Sequence, residues 1–397
     1  MKDHSHKSTH RAERRLPVTF IIIAAWLAIV VPGSVQLVAH KNFEEPVVAG
    51  PGVTEVRRLS EWAPYIAGSV NDCNIYVLDS GIDGGTMLVL GGTHPDEPAG
   101  VLSAVTIVEN VVPTKGRILV AIRANRSASM TTRPGDAYPQ FFNIDTEFGQ
   151  RTFRMGDRWC SPLHSWPDPD CYVHYPSKQM LAYMDIRNLN RTWPGREDGL
   201  LAERTAAAFI DLLNAEKVDV FIDNHEAELE YPIISMIIAH QNGADIASMA
   251  SLWISDEQFN MDMELSPPLL HGLSHREVGD FTDALAFTIE VPEPFLDRVR
   301  GITDERLLLE GKDEFVVRAG EAGLLYETMD EDGWHIDERV GRTNSTIDMI
   351  VQMFNDFYPG QEIEYQGLPL HADVVSNGLG AYLLDPERAP AGSVSVN

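Results

Sequence analysis

The sequence predicts an α/β fold, a sheet covered by helices, preceded by an N-terminal membrane-associated segment. Three observations carry this. Short apolar runs at Asn74–Leu78, Met87–Leu90, Arg117–Ile122 and Val218–Ile222 have the length and bounding turn residues of buried strands. Between them, Ala99–Val108 and Leu200–Leu213 read as helices, the second with Leu201, Thr205, Ala208 and Leu212 on one face. Strands alternating with helices are the pattern of a sheet with helices on its faces. Finally, Lys2, Lys7, Arg11, Arg14 and Arg15 precede an apolar stretch from Val18 to Val31, the order of an export signal or signal anchor.

That stretch is shorter than the ~20 residues that span a bilayer comfortably. Pro32, Gly33 and Ser34 interrupt it and Val35–Ala39 resume it. No small-x-small cleavage site stands out, which favours an uncleaved anchor. Residues 1–40 are therefore expected to hold the chain at a membrane, facing the periplasm or exterior, or to release it as a secreted protein if they are cleaved. Residues 41–70 contain Pro46, Gly50, Pro51 and Gly52 without sustained periodicity and read as a linker. The main domain is expected over 71–360. An insertion at 126–180, crowded with Pro, Gly, Asp and aromatic residues, is long enough to border or cover a site. Ile233–Ala239 and Ala284–Val291 add strands. Ser345–Phe357 adds a helix with Ile347, Ile350, Val351 and Phe354 at helical spacing, and 361–397 reads as a Gly- and Pro-punctuated tail.

An apolar fraction of 44% and a charged fraction of 23% exclude disorder of the whole chain. The net charge of -28 repels polyanions and so disfavours a nucleic-acid partner. It fits either solubility or attraction of a cationic substrate. Of the three cysteines, Cys160 and Cys171 flank a loop rich in Pro and Asp, where an exported chain permits a disulfide. Bridged and free states both remain open. There is no CxxC pair.

Four segments carry chemistry. In Gly91-Gly92-Thr93-His94-Pro95-Asp96-Glu97, His94 and Glu97 follow a strand at its junction with a helix, where α/β sheets place ligands. A His nitrogen and a Glu oxygen three residues apart suit zinc. Val218–Ile222 ends in Asp223-Asn224-His225, and His225 supplies a third ligand at a second strand end. Two His and one Glu leave a position open, as hydrolytic zinc sites do. Asn190-Arg191, just before Pro194-Gly195, offers an amide and a guanidinium for a carboxylate. Glu290 closes the apolar run Phe287-Thr288-Ile289, where partial burial raises a carboxyl pKa and suits it to proton transfer. Taken singly, each has an ordinary structural explanation: a surface loop, a turn histidine, a salt-bridged turn, a solvated strand end.

In this order the motifs resemble the zinc carboxypeptidase-like superfamily. The wording Gly-Gly-Thr-His-Pro-Asp-Glu and Asn-Leu-Asn-Arg-x-x-Pro-Gly is similar to its succinylglutamate desuccinylase/aspartoacylase branch, over about residues 70–300. The resemblance implies a mixed sheet flanked by helices with one zinc at its strand ends. His94, Glu97 and His225 would be the metal ligands, and Asn190 and Arg191 would bind a substrate carboxylate. Glu290 would be general base and then acid. The branch also places an arginine upstream of the Asn-Arg pair to polarise the scissile carbonyl. Tyr183 stands at that spacing here, leaving Arg187 as the nearest substitute and Arg154 as another. Arg276 could take the place of the branch's second substrate-binding arginine, or be a solvated loop residue. The implied activity is hydrolysis of an amide or ester in a carboxylate-bearing substrate, as in N-acyl amino acid deacylases. A carboxypeptidase or cell-wall peptide hydrolase acting on short peptides is one alternative. A membrane-anchored metal-binding protein without catalysis is another. The donor atoms themselves accept several divalent ions.

Overall fold

The computed structural model describes residues 6–131, 139–255, 259–295, 303–329 and 332–396. Two units result, Met1–Phe43 and Glu44–Asn397. In the first, α1 (His6–Lys41) is one helix that passes through both Pro17 and Pro32. The expected break at Pro32-Gly33-Ser34 does not occur. A proline removes a single backbone donor, and a helix can absorb that loss where its other bonds continue. Pro17–Lys41, 25 residues with no part of its apolar window buried, is long and apolar enough to cross a membrane; at 1.5 Å per residue it measures about 37 Å. Lys2 and the side chains of Lys7, Arg11, Arg14 and Arg15 lie outside the described residues.

The second unit is built on eight strands: β1 (Val53–Arg58), β2 (Asn74–Asp79), β3 (Thr86–Leu90), β4 (Arg117–Ala121), β5 (Val220–Glu228), β6 (Met236–Ala239), β7 (Asp262–Leu265) and β8 (Leu285–Glu293). Their order across the sheet is β7-β6-β8-β5-β3-β4-β2-β1. The centre, β8-β5-β3-β4, is parallel, while β6 runs antiparallel to β8 and β2 to β4, so the sheet is mixed. Consecutive side chains of a strand go to opposite faces, and both faces are packed. Met87 and Val89 share a core with α2 (Pro98–Asn110), α4 (Ala244–Ile254) and α6 (Ile336–Phe357), whereas Leu88 and Leu90 share one with α3 (Leu201–Glu216). This is why the central strands read as unbroken apolar runs.

Several boundaries differ from expectation for identifiable reasons. Residues 53–58, read within a linker, form the edge strand β1, mostly exposed and bearing Glu55, Arg57 and Arg58. Charged residues on an edge hide its strand character and discourage further pairing. The insertion at 126–180 is not free of regular structure. Phe141–Thr146 pairs with Gly149–Arg154, and Phe142, Ile144 and Phe153 join the main core. Arg151 from this hairpin lies 2.7 Å from Glu109 of α2, a buried ion pair. The tail also returns to the body: Glu364–Gln366 pairs with Val112–Lys115, and Val394–Val396 with Pro46–Val48. Cys160 and Cys171 are not bridged; Cys160 is buried with its Sγ 3.0 Å from Asn125 Oδ1.

The feature that makes room for a site is unequal strand length. β3 pairs with β5 only as far as Leu90 opposite Asp223, while β8 accompanies β5 to Glu228. Beyond Asp223, one edge of β5 is open.

Candidate metal centre

The segment from Gly91 to α2 fills that open edge. Gly92 turns the chain with a φ of +62°, in the left-handed region that favours glycine. Two hydrogen bonds then tie the helix entrance to β5: Ala99 N–H donates to Glu226 Oε2 at 2.6 Å, and Glu226 N–H donates to Glu97 Oε2 at 3.1 Å. The approach depends on Gly100. A Cβ there would stand 2.7 Å from the Asn224 carbonyl oxygen, too close for backbone to tolerate.

This docking brings His94 and Glu97, on one segment, to His225, inside β5 and not at its end as the hydropathy suggested. Their ligand atoms all lie within 4.8 Å of one another. Glu97 Oε1 is 2.7 Å from His94 Nδ1, and Glu97 Oε2 is 2.7 Å from His225 Nδ1. All three residues are buried. The opposite edge of each imidazole is anchored. His94 Nε2 lies 2.8 Å from Asn188 Oδ1, and His225 Nε2 lies 3.0 Å from Asp223 Oδ2. Asp223 is itself held by the hydroxyls of Thr93 (2.7 Å) and Ser274 (2.6 Å). Both Nδ1 atoms are thereby aimed at one point. Two nitrogens and a carboxylate, each with an outer partner that fixes it, form a donor set that fits zinc.

The electrostatics agree. In the metal-free protein, burial pushes the Glu97 carboxyl up, but the His94 and His225 imidazoles outweigh it and hold its pKa well below the usual value. Burial likewise opposes a charge on His225, but Asp223 and Glu97 win and raise it well above normal. For His94 burial wins, and its pKa falls to about 4. The centre thus favours positive charge among its carboxylates, the condition a divalent ion meets.

A cavity of about 440 Å³ opens over these residues. Glu290 is in its wall, directly across from His225 in the β5–β8 register, about 4.8 Å away by strand spacing. Like His225, Glu290 lies inside its strand, which runs on to Glu293. Burial first, with Glu97 adding and His225 opposing, raises its pKa well above the ordinary carboxyl range. Asn190 and Arg191 also line the cavity, and Asn190 Oδ1 accepts from Ser274 N–H at 2.8 Å.

Two expected residues are not brought in. Arg187 is outside the lining: its Nε pairs with Asp168 at 3.1 Å and its Nη1 donates to the Cys160 carbonyl at 3.2 Å. Arg276 is turned to Asp280 and His240. Tyr183 is half exposed and also absent from the wall, and Arg154 is buried beside Arg123 and Glu45. Besides Arg191, the arginine that lines the cavity is Arg158, with Nη2 3.1 Å from Glu97 Oε1. It comes from the insertion, where no motif marks it. Asp223 could have been found: two residues before His225 on a strand, it must share its face. Asn188 and His275 carried no separate signal.

Asp223→Asn tests the anchoring. Removing the charge that orients His225 is expected to weaken zinc binding about 10–100-fold, measured by competition with a chromophoric chelator. An unchanged affinity would mean that His225 is positioned without it.

No family model matches the chain, and no curated protein matches it in sequence. Solved structures do. A metallo-carboxypeptidase from Burkholderia cenocepacia aligns at 11% identity and a TM-score of 0.43, covering 82% of this chain and 69% of that one. A succinylglutamate desuccinylase from Silicibacter sp. TM1040 aligns at 17% identity and a TM-score of 0.32, covering 54% of this chain and 52% of that one. An aspartoacylase family protein from Mesorhizobium loti aligns at 18% identity and a TM-score of 0.32, covering 55% of each. The chain therefore spans about half the length of the latter two. In fold, the chain is similar to metallo-carboxypeptidase, succinylglutamate desuccinylase and aspartoacylase-family structures.

Proposed function

We propose that this chain is a zinc-dependent hydrolase that cleaves an amide or ester bond in a carboxylate-bearing substrate, and that α1 holds it at a membrane, facing the periplasm or exterior. The observation that carries the reading is the convergence of His94, Glu97 and His225 beside Glu290, in one cavity that also holds Asn190 and Arg191. His94 Nδ1, Glu97 and His225 Nδ1 would hold the ion. Once bound, zinc would supply Lewis-acid polarisation and make water a stronger acid.

The residues of the chain have distinct parts. Arg191 holds the substrate carboxylate, with Asn190 offering its amide beside it. Glu290 takes the proton of the attacking water and passes it to the departing nitrogen or oxygen. Arg158, rather than Arg187, faces the charge that develops on the carbonyl oxygen. Burial of the surrounding groups strengthens each of these interactions.

Full-length protein in detergent, loaded with zinc and offered N-acyl amino acids and short peptides, tests the reading. Hydrolysis that disappears on chelation and returns with zinc is the expected result. Tight zinc binding with no hydrolysis of any member would replace it with the non-catalytic alternative.

A further inference from the structure

Helix α5 (Ser274–Phe281) sends two adjacent side chains to different places. Arg276 is committed elsewhere: its Nε lies 2.8 Å from Asp280 Oδ2, its Nη2 2.6 Å from Asp280 Oδ1, and its Nη1 3.4 Å from the Ser266 carbonyl. His275 lines the cavity instead, although only 3% of it is exposed. Its Nδ1 lies 2.8 Å from Ser266 Oγ, and its Nε2 makes no hydrogen bond among the described residues. Ser274 fixes this placement, because its N–H is bonded to Asn190 and its hydroxyl to Asp223. The imidazole is therefore a rigid polar group with one edge left for a ligand.

The charges around it are unequal. The guanidinium groups in the cavity wall are Arg158 and Arg191, and Arg158 is already 3.1 Å from Glu97; the imidazole of His225 is held between Glu97 and Asp223. Glu228, Glu264 and Glu290 stand in the same wall. Burial, then the nearby His225, pulls the His275 pKa down to about 3, so it meets a ligand uncharged. Arg191 can serve one carboxylate. A second would have no guanidinium of its own and would face neutral imidazole and acidic walls, at a desolvation cost without a partner.

We infer that the cavity selects substrates with a single carboxylate, whose remaining part presents a neutral hydrogen-bonding group, an amide carbonyl or a hydroxyl, to His275. This rests on the hydrolase reading above and narrows its substrate class: acyl groups or amines that bring a second carboxylate are rejected.

The test uses zinc-loaded full-length protein and two probes sharing one amino acid, Nα-acetyl-leucine and Nα-succinyl-leucine. Affinity is measured by calorimetry and kcat/KM by amine release. The singly charged probe is expected to win by about tenfold or more in both. His275→Arg, which places a cation there, is expected to shrink or reverse the preference. His275→Gln, neutral and still able to hydrogen-bond, is expected to retain it; zinc content and circular dichroism report whether each variant is folded. Equal or stronger binding of the succinyl probe by wild type would overturn the inference alone. So would loss of the preference in folded, zinc-loaded His275→Gln. Binding of neither probe would overturn it together with the carboxylate-binding reading.

Discussion

Glu290→Gln is expected to lower turnover by about 10²–10⁴-fold while about one zinc per chain stays bound. Glutamine keeps the shape and hydrogen-bonding reach of the side chain but cannot accept and return a proton. Glu290 is across the sheet from His225 and outside the group of ligand atoms, so the metal does not depend on it. The measurement is kcat on the zinc-loaded full chain, with metal content by mass spectrometry. Near-normal turnover would remove Glu290 from the chemistry, and loss of zinc would make it a ligand. Stability should respond in the opposite direction in the metal-free protein. The folded-state pKa of Glu290 is raised, mainly by burial. Folding then binds more protons than unfolding does, and stability falls as pH rises above the ordinary Glu value of about 4.3. Glutamine carries no such penalty, so the metal-free variant is expected to melt higher than metal-free wild type at neutral pH. Identical melting of the two would mean that Glu290 is not burdened by burial.

Replacing both His94 and His225 with alanine is expected to take zinc content from about one per chain to none, since a lone carboxylate is a poor zinc site. The substitution also exposes how the centre is balanced. Glu97 is buried between two imidazoles at 2.7 Å each and would keep only Arg158 and the Glu226 N–H. Breaking a buried ion pair from one side costs about 3–5 kcal/mol. The double variant should therefore melt well below metal-free wild type, and adding Glu97→Gln should recover much of the loss. Full zinc occupancy in a folded double variant would move the metal elsewhere and remove the central claim. Metal analysis of the full chain, with circular dichroism to confirm folding, reads both points.

The centre of the sheet was legible because it depends on short, local patterns, and the metal group because the order of its separate motifs resembles that of a known family. Leu88 and Val89 announce a strand buried on both faces, and His94-x-x-Glu97 lies where that strand ends. What escaped depended on tertiary context. Asp223, Asn224 and His225 look like the end of a strand because polar residues normally face solvent, yet β5 continues through them in a polar interior made by the site. The phase of α5 decides that His275, and not the expected neighbour Arg276, faces the cavity. Arg158 sits in an insertion whose path is set by packing of Phe142 and Phe153 into the core, and no spacing rule connects it to Glu97. β1 was missed because exposed Glu55, Arg57 and Arg58 erase the apolar pattern that marks its neighbours.

The open edge of β5 also sets when the metal can be acquired. Glu97 and His225 are separated by 128 positions, and β5 is held in place by β8, which is completed only at Glu293. A chain still emerging from synthesis or from a translocation channel can show one His-x-x-Glu pair, but it cannot assemble the three-residue cage. On the proposed zinc-hydrolase reading, capture of the ion would follow folding of the second unit, and the ion supply where that unit folds would govern loading.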